Sequence, residues 1–124
     1  MGPGCPTVFI VDDDDAVRQS LRALLESYEF KVEDYCSGPA FLARYSSDLR
    51  GCILLDMHLP EMTGLEILTR FRNDMQGALP VVMITGRGDR LTRERLLAAG
   101  ANSLFEKPLD SDQLVATIQA LTTA

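Results

Sequence analysis

The sequence predicts an α/β fold, a doubly wound parallel sheet of five strands with helices on both faces. Two observations carry this reading. Short apolar runs alternate with stretches of helical periodicity along the whole chain, in units of roughly 25 residues, as strand–helix units do. The strongest runs also lack in–out alternation, which is the pattern of strands buried on both faces. No sequence identity links the units, so this is not a repeat protein. Crossovers between parallel strands are right-handed, and any ligand site then lies beyond the carboxyl ends of the strands, where the winding reverses.

The first strand is Thr7 to Val11 (TVFIV), a β-branched run between Pro6 and an acidic cluster. Lys31 to Tyr35 (KVEDY) is a weaker second strand. Cys52 to Leu55 (CILL), ending at Asp56, is the third, and Pro80 to Thr85 (PVVMIT) the fourth. Asn102 to Phe105 (NSLF) is the fifth, and only its position in the series assigns it. The first helix runs from Asp15 to Tyr28, with Val17, Leu21, Leu24 and Tyr28 on one face and Arg18, Arg22 and Glu26 pointing away. Asp14 or Asp15 caps it, and acidic charge there suits the helix dipole. Pro39 to Tyr45 is a short helix with proline in its first turn. Thr63 to Arg72 carries Leu65, Ile67, Leu68 and Phe71; Arg90 to Ala99 is thinner and stops at Gly100. Asp110 to Leu121 carries Leu114, Val115, Ile118 and Leu121, with Asp110 or Ser111 as cap.

The 124 residues make one domain over 1–124, long enough to bury a core without disulfide or metal support. Hydrophobic residues are 46% and charged residues 24%, the balance of a soluble globular protein. No apolar run approaches the roughly 20 residues of a membrane span. Met1 to Pro6 lacks the basic start and apolar stretch of a secretion signal. Twelve Lys and Arg against 18 Asp and Glu give a net charge of −6, which argues against this domain itself clamping nucleic acid. Cys5, Cys36 and Cys52 form no CxxC pair and no zinc spacing, so they read as reduced thiols of a cytoplasmic protein.

The strand ends carry the chemistry. Strand one ends in Asp12 and Asp13, strand three in Asp56 and strand four in Thr85; strand five is followed by Glu106, Lys107 and Pro108. Strand two ends at Tyr35 and Cys36 with no evident chemistry. Singly, each residue has an ordinary structural role open to it. Asp12 and Asp13 could be loop or cap residues, Asp56 a turn residue, Thr85 a hydroxyl satisfied by backbone, and Lys107 a solvated lysine. Together they converge carboxylates, a hydroxyl and an ammonium on one sheet edge. Like charges there repel by about 4 kcal/mol per pair at 4 Å and an effective dielectric near 20, so such a cluster implies a bound cation. All-oxygen ligands with open water positions suit Mg²⁺. A carboxylate beside a cation and a lysine can attack phosphorus to give an aspartyl phosphate, with Thr85 donating to the new phosphoryl group.

At these residues the sequence resembles the receiver domain of bacterial two-component response regulators. The matching motifs are VDDD at Val11 to Asp14, LLDMHLPEMTGLE at Leu54 to Glu66, ITGRGD at Ile84 to Asp89 and AGANSLFEKP at Ala99 to Pro108, in order over essentially the whole chain. The ITGRGD and EKP stretches resemble the FixJ-like branch. The resemblance implies a (βα)5 flavodoxin-like topology with strand order 2-1-3-4-5. It implies Asp56 as phosphoacceptor and Asp13 as a direct Mg²⁺ ligand, with Asp12 acting mainly through water. Asp56 and the backbone carbonyl of His58 complete that set. It implies Thr85 as switch hydroxyl, Lys107 as phosphate-binding lysine, a cis Lys107–Pro108 bond and Gly64 at a tight turn around the third helix. The partners implied are a sensor histidine kinase, a phosphorylation-dependent homodimer, and an effector domain outside this chain, often a DNA-binding helix-turn-helix. Activation would act on the face of the fourth helix, fifth strand and fifth helix.

The sequence departs from the family where an aromatic residue usually stands three positions before the lysine: here it is Leu104, with Phe105 beside it. His58 and Arg87 occupy the two variable positions that tune phosphate lifetime in relatives. His58 is the one histidine of the chain, so a metal site of several histidines is excluded. Arg90, Arg93 and Arg95 make the fourth helix basic, either as a solvated face or as a docking surface for acidic residues. A haloacid-dehalogenase-type phosphohydrolase would need a second acid where His58 stands. A flavin-binding module would need a Ser-, Thr- and Gly-rich loop where DDDDAV stands, which would repel a phosphate. A pseudo-receiver that binds partners without phosphorylation would not need the reactive residues present here.

Overall fold

The structure, a computed structural model, describes residues 6–59, 61–86 and 90–122. Five parallel strands are ordered β2-β1-β3-β4-β5, as the resemblance implies. They are β1 (Thr7–Val11), β2 (Lys31–Tyr35), β3 (Gly51–Asp56), β4 (Val81–Thr85) and β5 (Ser103–Glu106). Helices α1 (Asp15–Ser27), α2 (Gly38–Arg44), α3 (Gly64–Thr69), α4 (Arg90–Ala98) and α5 (Ser111–Thr122) alternate with them. Apart from α3, boundaries differ from the sequence reading by at most one residue at either end. β3 takes in Gly51 and Asp56, and β5 begins at Ser103 and takes in Glu106.

Successive strand residues point to opposite sheet faces, and this divides the core in two. Phe9, Val11, Ile53, Leu55, Val81 and Met83 join Phe41, Ile67, Phe71 and Leu96 on the side of α2, α3 and α4. Val8, Ile10, Cys52, Leu54, Val82 and Ile84 join Leu21, Leu25, Leu114 and Ile118 on the side of α1 and α5. All five residues of β1 and of β4 are buried, which is why these runs show no polar alternation. Packing on both faces fixes the carboxyl ends of the strands, and the site residues stand at those ends.

The helix caps resolve the alternatives left open by the sequence. Asp14 caps α1, accepting from the backbone N–H of Ala16 and Val17. Asp110 accepts from Gln113 N–H at the start of α5. Thr63 and Glu66 form a reciprocal capping box at α3. The α1 face needs correction. Arg18 does not point away: it is 9% exposed and lines the buried face with Leu21 and Leu25, at the i, i+3, i+7 spacing, while Tyr28 is 45% exposed.

The sequence predicts a third helix that runs to Arg72. It changes instead into a π-helical turn over Arg70–Asp74. There Phe71 is buried and Arg72 reaches across the amino ends of β4 and β5. Its guanidinium donates to the carbonyls of Gly77 (3.0 Å), Leu79 (2.7 Å) and Gly100 (2.8 Å), and to Asn102 Oδ1 (2.9 Å). Asn102 Oδ1 also accepts from Val81 N–H. Gly100 sits at φ +111°, a conformation that glycine adopts without strain, and a Cβ there would meet the Arg72 side chain. Replacing Arg72 by Met leaves these half-buried carbonyls without their donor. Urea unfolding of Arg72→Met is expected to show a loss of about 2–3 kcal/mol; an unchanged midpoint would show that the arginine carries none of this load.

Candidate functional site

Asp12 follows β1, and its backbone is held on both sides. Its N–H donates to Tyr35 O (3.1 Å), and its carbonyl accepts from Arg18 Nη1 (2.7 Å). Its carboxylate accepts from Asp14 N–H (2.9 Å). Asp56 is the last residue of β3, paired with Ile84 of β4. The next residue extends the ladder, with Met57 N–H donating to Ile84 O (2.8 Å). The chain then turns sharply, and Gly64 N–H returns to Met57 O (2.8 Å). A Cβ on Gly64 would lie 2.7 Å from the Asp56 carbonyl, so α3 can start this close to the acidic residue only with glycine there.

These turns bring Asp12, Asp13 and Asp56 together, with one carboxylate oxygen of each within 4.8 Å of the others. Asp12 and Asp56 are buried, at 3% and 4% exposure, while Asp13 is exposed. Lys107, just past β5, places its Nζ 3.8 Å from Asp56 Oδ1. Its backbone N–H donates to Thr85 O (2.9 Å), tying the lysine to the end of β4, and the Lys107–Pro108 bond is cis. Thr85 is buried at 1% exposure, one residue beyond the level of Asp56. The buried Asp56 Oδ1 has no hydrogen-bond partner, and the ammonium at 3.8 Å is an ion-pair neighbour rather than a donor.

Burial, the largest cause, raises the Asp56 carboxyl above its ordinary range. The Asp12 charge raises it further; Lys107 and the backbone N–H of His58 oppose this. The Asp12 carboxyl is raised too, first by burial, against the Asp14 N–H bond and the Lys107 charge. Burying ionised carboxylates this close is unfavourable unless a cation sits among them. An unpartnered buried oxygen amid carboxylates, with one member open to solvent, fits a hard divalent ion that keeps several waters.

The other predicted residues are placed as follows. His58 lies exposed in the loop after β3. Leu104 is half-buried, pairs with Met83 and packs on the α3 and α4 side, whereas Phe105 packs on the α1 and α5 side. Arg87 lies outside the described residues. Two residues of the site's surroundings were missed. The sequence pattern points Arg18 to solvent and marks no role for Asp34, late in β2, yet the Asp34 carboxylate lies 3.4 Å from Arg18 Nε and 2.9 Å from Arg22 Nε. The spacing of Arg18 with Leu21 and Leu25 was the signal that could have found them. A hollow of about 780 Å³ lies at the other end of the sheet beside Gly51 and Leu79, away from this chemistry.

With the sheet order and the acidic cluster established, residues 8–119 match the response regulator receiver domain family, and the chain belongs to it. Its relatives place it on the FixJ-like branch. The transcriptional regulatory protein FixJ of Azorhizobium caulinodans is 38% identical over 113 residues, covering 91% of this chain and 53% of FixJ. Response regulator protein TodT of Pseudomonas putida is 32% identical over 120 residues, covering 97% of this chain and 52% of TodT. The crystal structure of FixJ-N matches with a TM-score of 0.83 and 36% identity, over 94% of this chain and 93% of that one. The chain thus spans about half the length of the curated relatives it matches.

Neutralising one carboxylate relieves repulsion across at most 4.8 Å. In metal-free buffer, Asp12→Asn is expected to raise stability by about 1–3 kcal/mol, the range between water-like and protein-surface dielectrics. The sign with pH follows from the raised native values. The unfolded carboxyl titrates near 3.8 and the native one higher, so the native state binds more protons between them. The parent's relative stability therefore falls as pH rises through that window, and the advantage of Asp12→Asn grows until the native value is passed. Chemical denaturation across pH, with and without Mg²⁺, measures this; Mg²⁺ should reduce the advantage by stabilising the parent.

Proposed function

We propose that this domain accepts a phosphoryl group onto Asp56 from a phosphohistidine of a sensor histidine kinase. Asp12, Asp13, Asp56 and the backbone carbonyl of His58 would hold Mg²⁺, Asp13 directly and Asp12 mainly through water. The observation that carries this reading is the meeting of the three carboxylates within 4.8 Å, with Lys107 Nζ 3.8 Å from the unpartnered Asp56 Oδ1. When bound, the ion supplies charge neutralisation for the carboxylates and for the incoming phosphoryl oxygens.

An Asp56 carboxylate oxygen attacks phosphorus; the new O–P bond forms as the N–P bond breaks, and the histidine nitrogen departs with the electron pair. Lys107 stabilises charge on the phosphoryl group. The domain's catalysis is confined to this transfer and to slow loss of its own phosphate. An apolar groove of about 360 Å³ between α1 and α5 begins at Lys107 and includes Val17, Leu21, Leu24 and Leu114. It is suited to a helical partner that brings the phosphohistidine to the site.

The phosphoryl group would draw Thr85 toward Asp56 and bias the face of α4, β5 and α5. Moving a population from 1:99 to 99:1 needs about 5.5 kcal/mol of differential interaction. Charge-assisted hydrogen bonds from Thr85 and Lys107 supply about 1.5–3 kcal/mol each. Leu104 replaces the usual aromatic beside Met83, so repacking of an aliphatic side chain takes the place of an aromatic swing. His58 and Arg87 would tune phosphate lifetime. The output is a phosphorylation-dependent homodimer and an effector domain outside this chain, in keeping with transcriptional relatives such as FixJ. On α4, Arg93 Nη2 already lies 3.5 Å from Glu106 and Leu97 is 52% exposed.

Two experiments test this reading. Incubation with acetyl phosphate and Mg²⁺ should add the mass of one phosphoryl group to the parent and none to Asp56→Asn; a modified Asp56→Asn would remove the acceptor assignment. Arg93→Glu places like charges beside Glu106 and should weaken dimerisation of the phosphorylated domain about tenfold in sedimentation analysis, the scale of a lost interfacial charge contact. Unchanged dimerisation would exclude this part of α4 from the interface.

A further inference from the structure

We infer that Arg18 is a positioning residue for the cation site: its buried guanidinium grips the turn that carries Asp12 and Asp13 and holds their carboxylates toward Asp56. The inference rests on the reading of the acidic cluster as a Mg²⁺ site. It goes beyond that reading by assigning a residue that contributes no oxygen to the ion.

Arginine is rarely buried unless its donors are used. In Arg18 each arm points at a different part of the acidic edge. Nη1 donates to the Asp12 carbonyl at 2.7 Å and Nη2 bonds Asp15 Oδ1, while the buried Nε makes no hydrogen bond and has Asp34 Oδ1, at 3.4 Å, as an ion-pair neighbour. With Asp12 N–H on Tyr35 O, the peptide groups on both sides of Asp12 are taken. The plane of the peptide leading into Asp13 is therefore fixed by Arg18. Asp34 links the same guanidinium to Arg22, whose Nε is 2.9 Å away and whose Nη1 donates to Val32 O. Arg22 touches no residue of the acidic turn, which makes it the matched control.

A buried ion pair by itself gives little net stability, so stabilisation alone is a poor account of this arginine. The planar fork reaches a carbonyl and two carboxylates at once, and a lysine ammonium cannot copy that geometry. Groups that orient metal ligands from outside the coordination sphere commonly change affinity by 10–100-fold when removed.

The test is Mg²⁺ binding to the whole chain by titration calorimetry, with thermal unfolding followed in parallel. Arg18→Met should bind Mg²⁺ about tenfold more weakly. Its phosphorylation by acetyl phosphate should recover toward the parent rate at saturating Mg²⁺, which separates loss of metal affinity from general damage. Arg18→Lys should fall between the two, and Arg22→Met should stay within about twofold of the parent. If Arg18→Met or Arg18→Lys binds Mg²⁺ as the parent does, whatever its melting temperature, the positioning role is overturned. If Arg18→Met does not fold, Arg18→Lys decides by the same criterion. Equal weakening in Arg22→Met would assign the effect to the Asp34 network and also overturn it. A parent that binds no Mg²⁺ would sink the underlying reading, a result distinct from any ranking of the variants.

Discussion

Mutual repulsion among three carboxylates is the constraint around which this molecule is arranged. Two of them, Asp12 and Asp56, are almost wholly buried, and nothing in their own chemistry would bring them together. The sheet does so. β1 and β3 are neighbours in register, Val11 opposite Leu55, so the residues that follow each strand emerge side by side. The core on both faces resists any relaxation that would separate them. The energy of two apolar clusters thus maintains an electrostatic arrangement that would disperse in an unpacked chain.

Two cations serve this acidic edge from different directions, and their chemistries differ accordingly. Lys107 approaches Asp56 with a half-exposed ammonium, a compact point charge that keeps much of its hydration. Arg18 lies beneath the turn, multiply bonded and nearly free of solvent. The half-exposed cation pairs with a carboxylate of the cluster itself, and the buried one binds the backbone of the turn that carries it.

The fold was legible because its central strands are apolar on both faces. TVFIV and PVVMIT cannot be exposed on either side, and that alone implies helices above and below. β5 was legible only through its place in the series, because Ser103, Leu104 and Phe105 are half-buried at the sheet edge. The acidic cluster was legible because parallel strands end on one side, so residues at the ends of apolar runs must be neighbours. What remained hidden depends on long side chains reaching distant backbone. The charge of Arg18 masked its helical phase with Leu21 and Leu25. The π turn at Arg70–Asp74 goes with contacts from Arg72 to Gly100 and Asn102, a separation no local pattern encodes.

That last feature has a mechanical consequence. Arg72 binds the carbonyl of Gly100, immediately beyond the carboxyl end of α4, and secures the entries to β4 and β5. The opposite end of α4 follows the carboxyl end of β4 in the chain, on the edge that carries the acidic cluster. A rod pinned at one end moves least at the pin, so displacement begun near Thr85 would grow toward Arg90 and fade toward Ala98. If the acidic edge pulls on Thr85 as proposed, the arginine clamp would act as a fulcrum and the surface helix would tilt rather than slide.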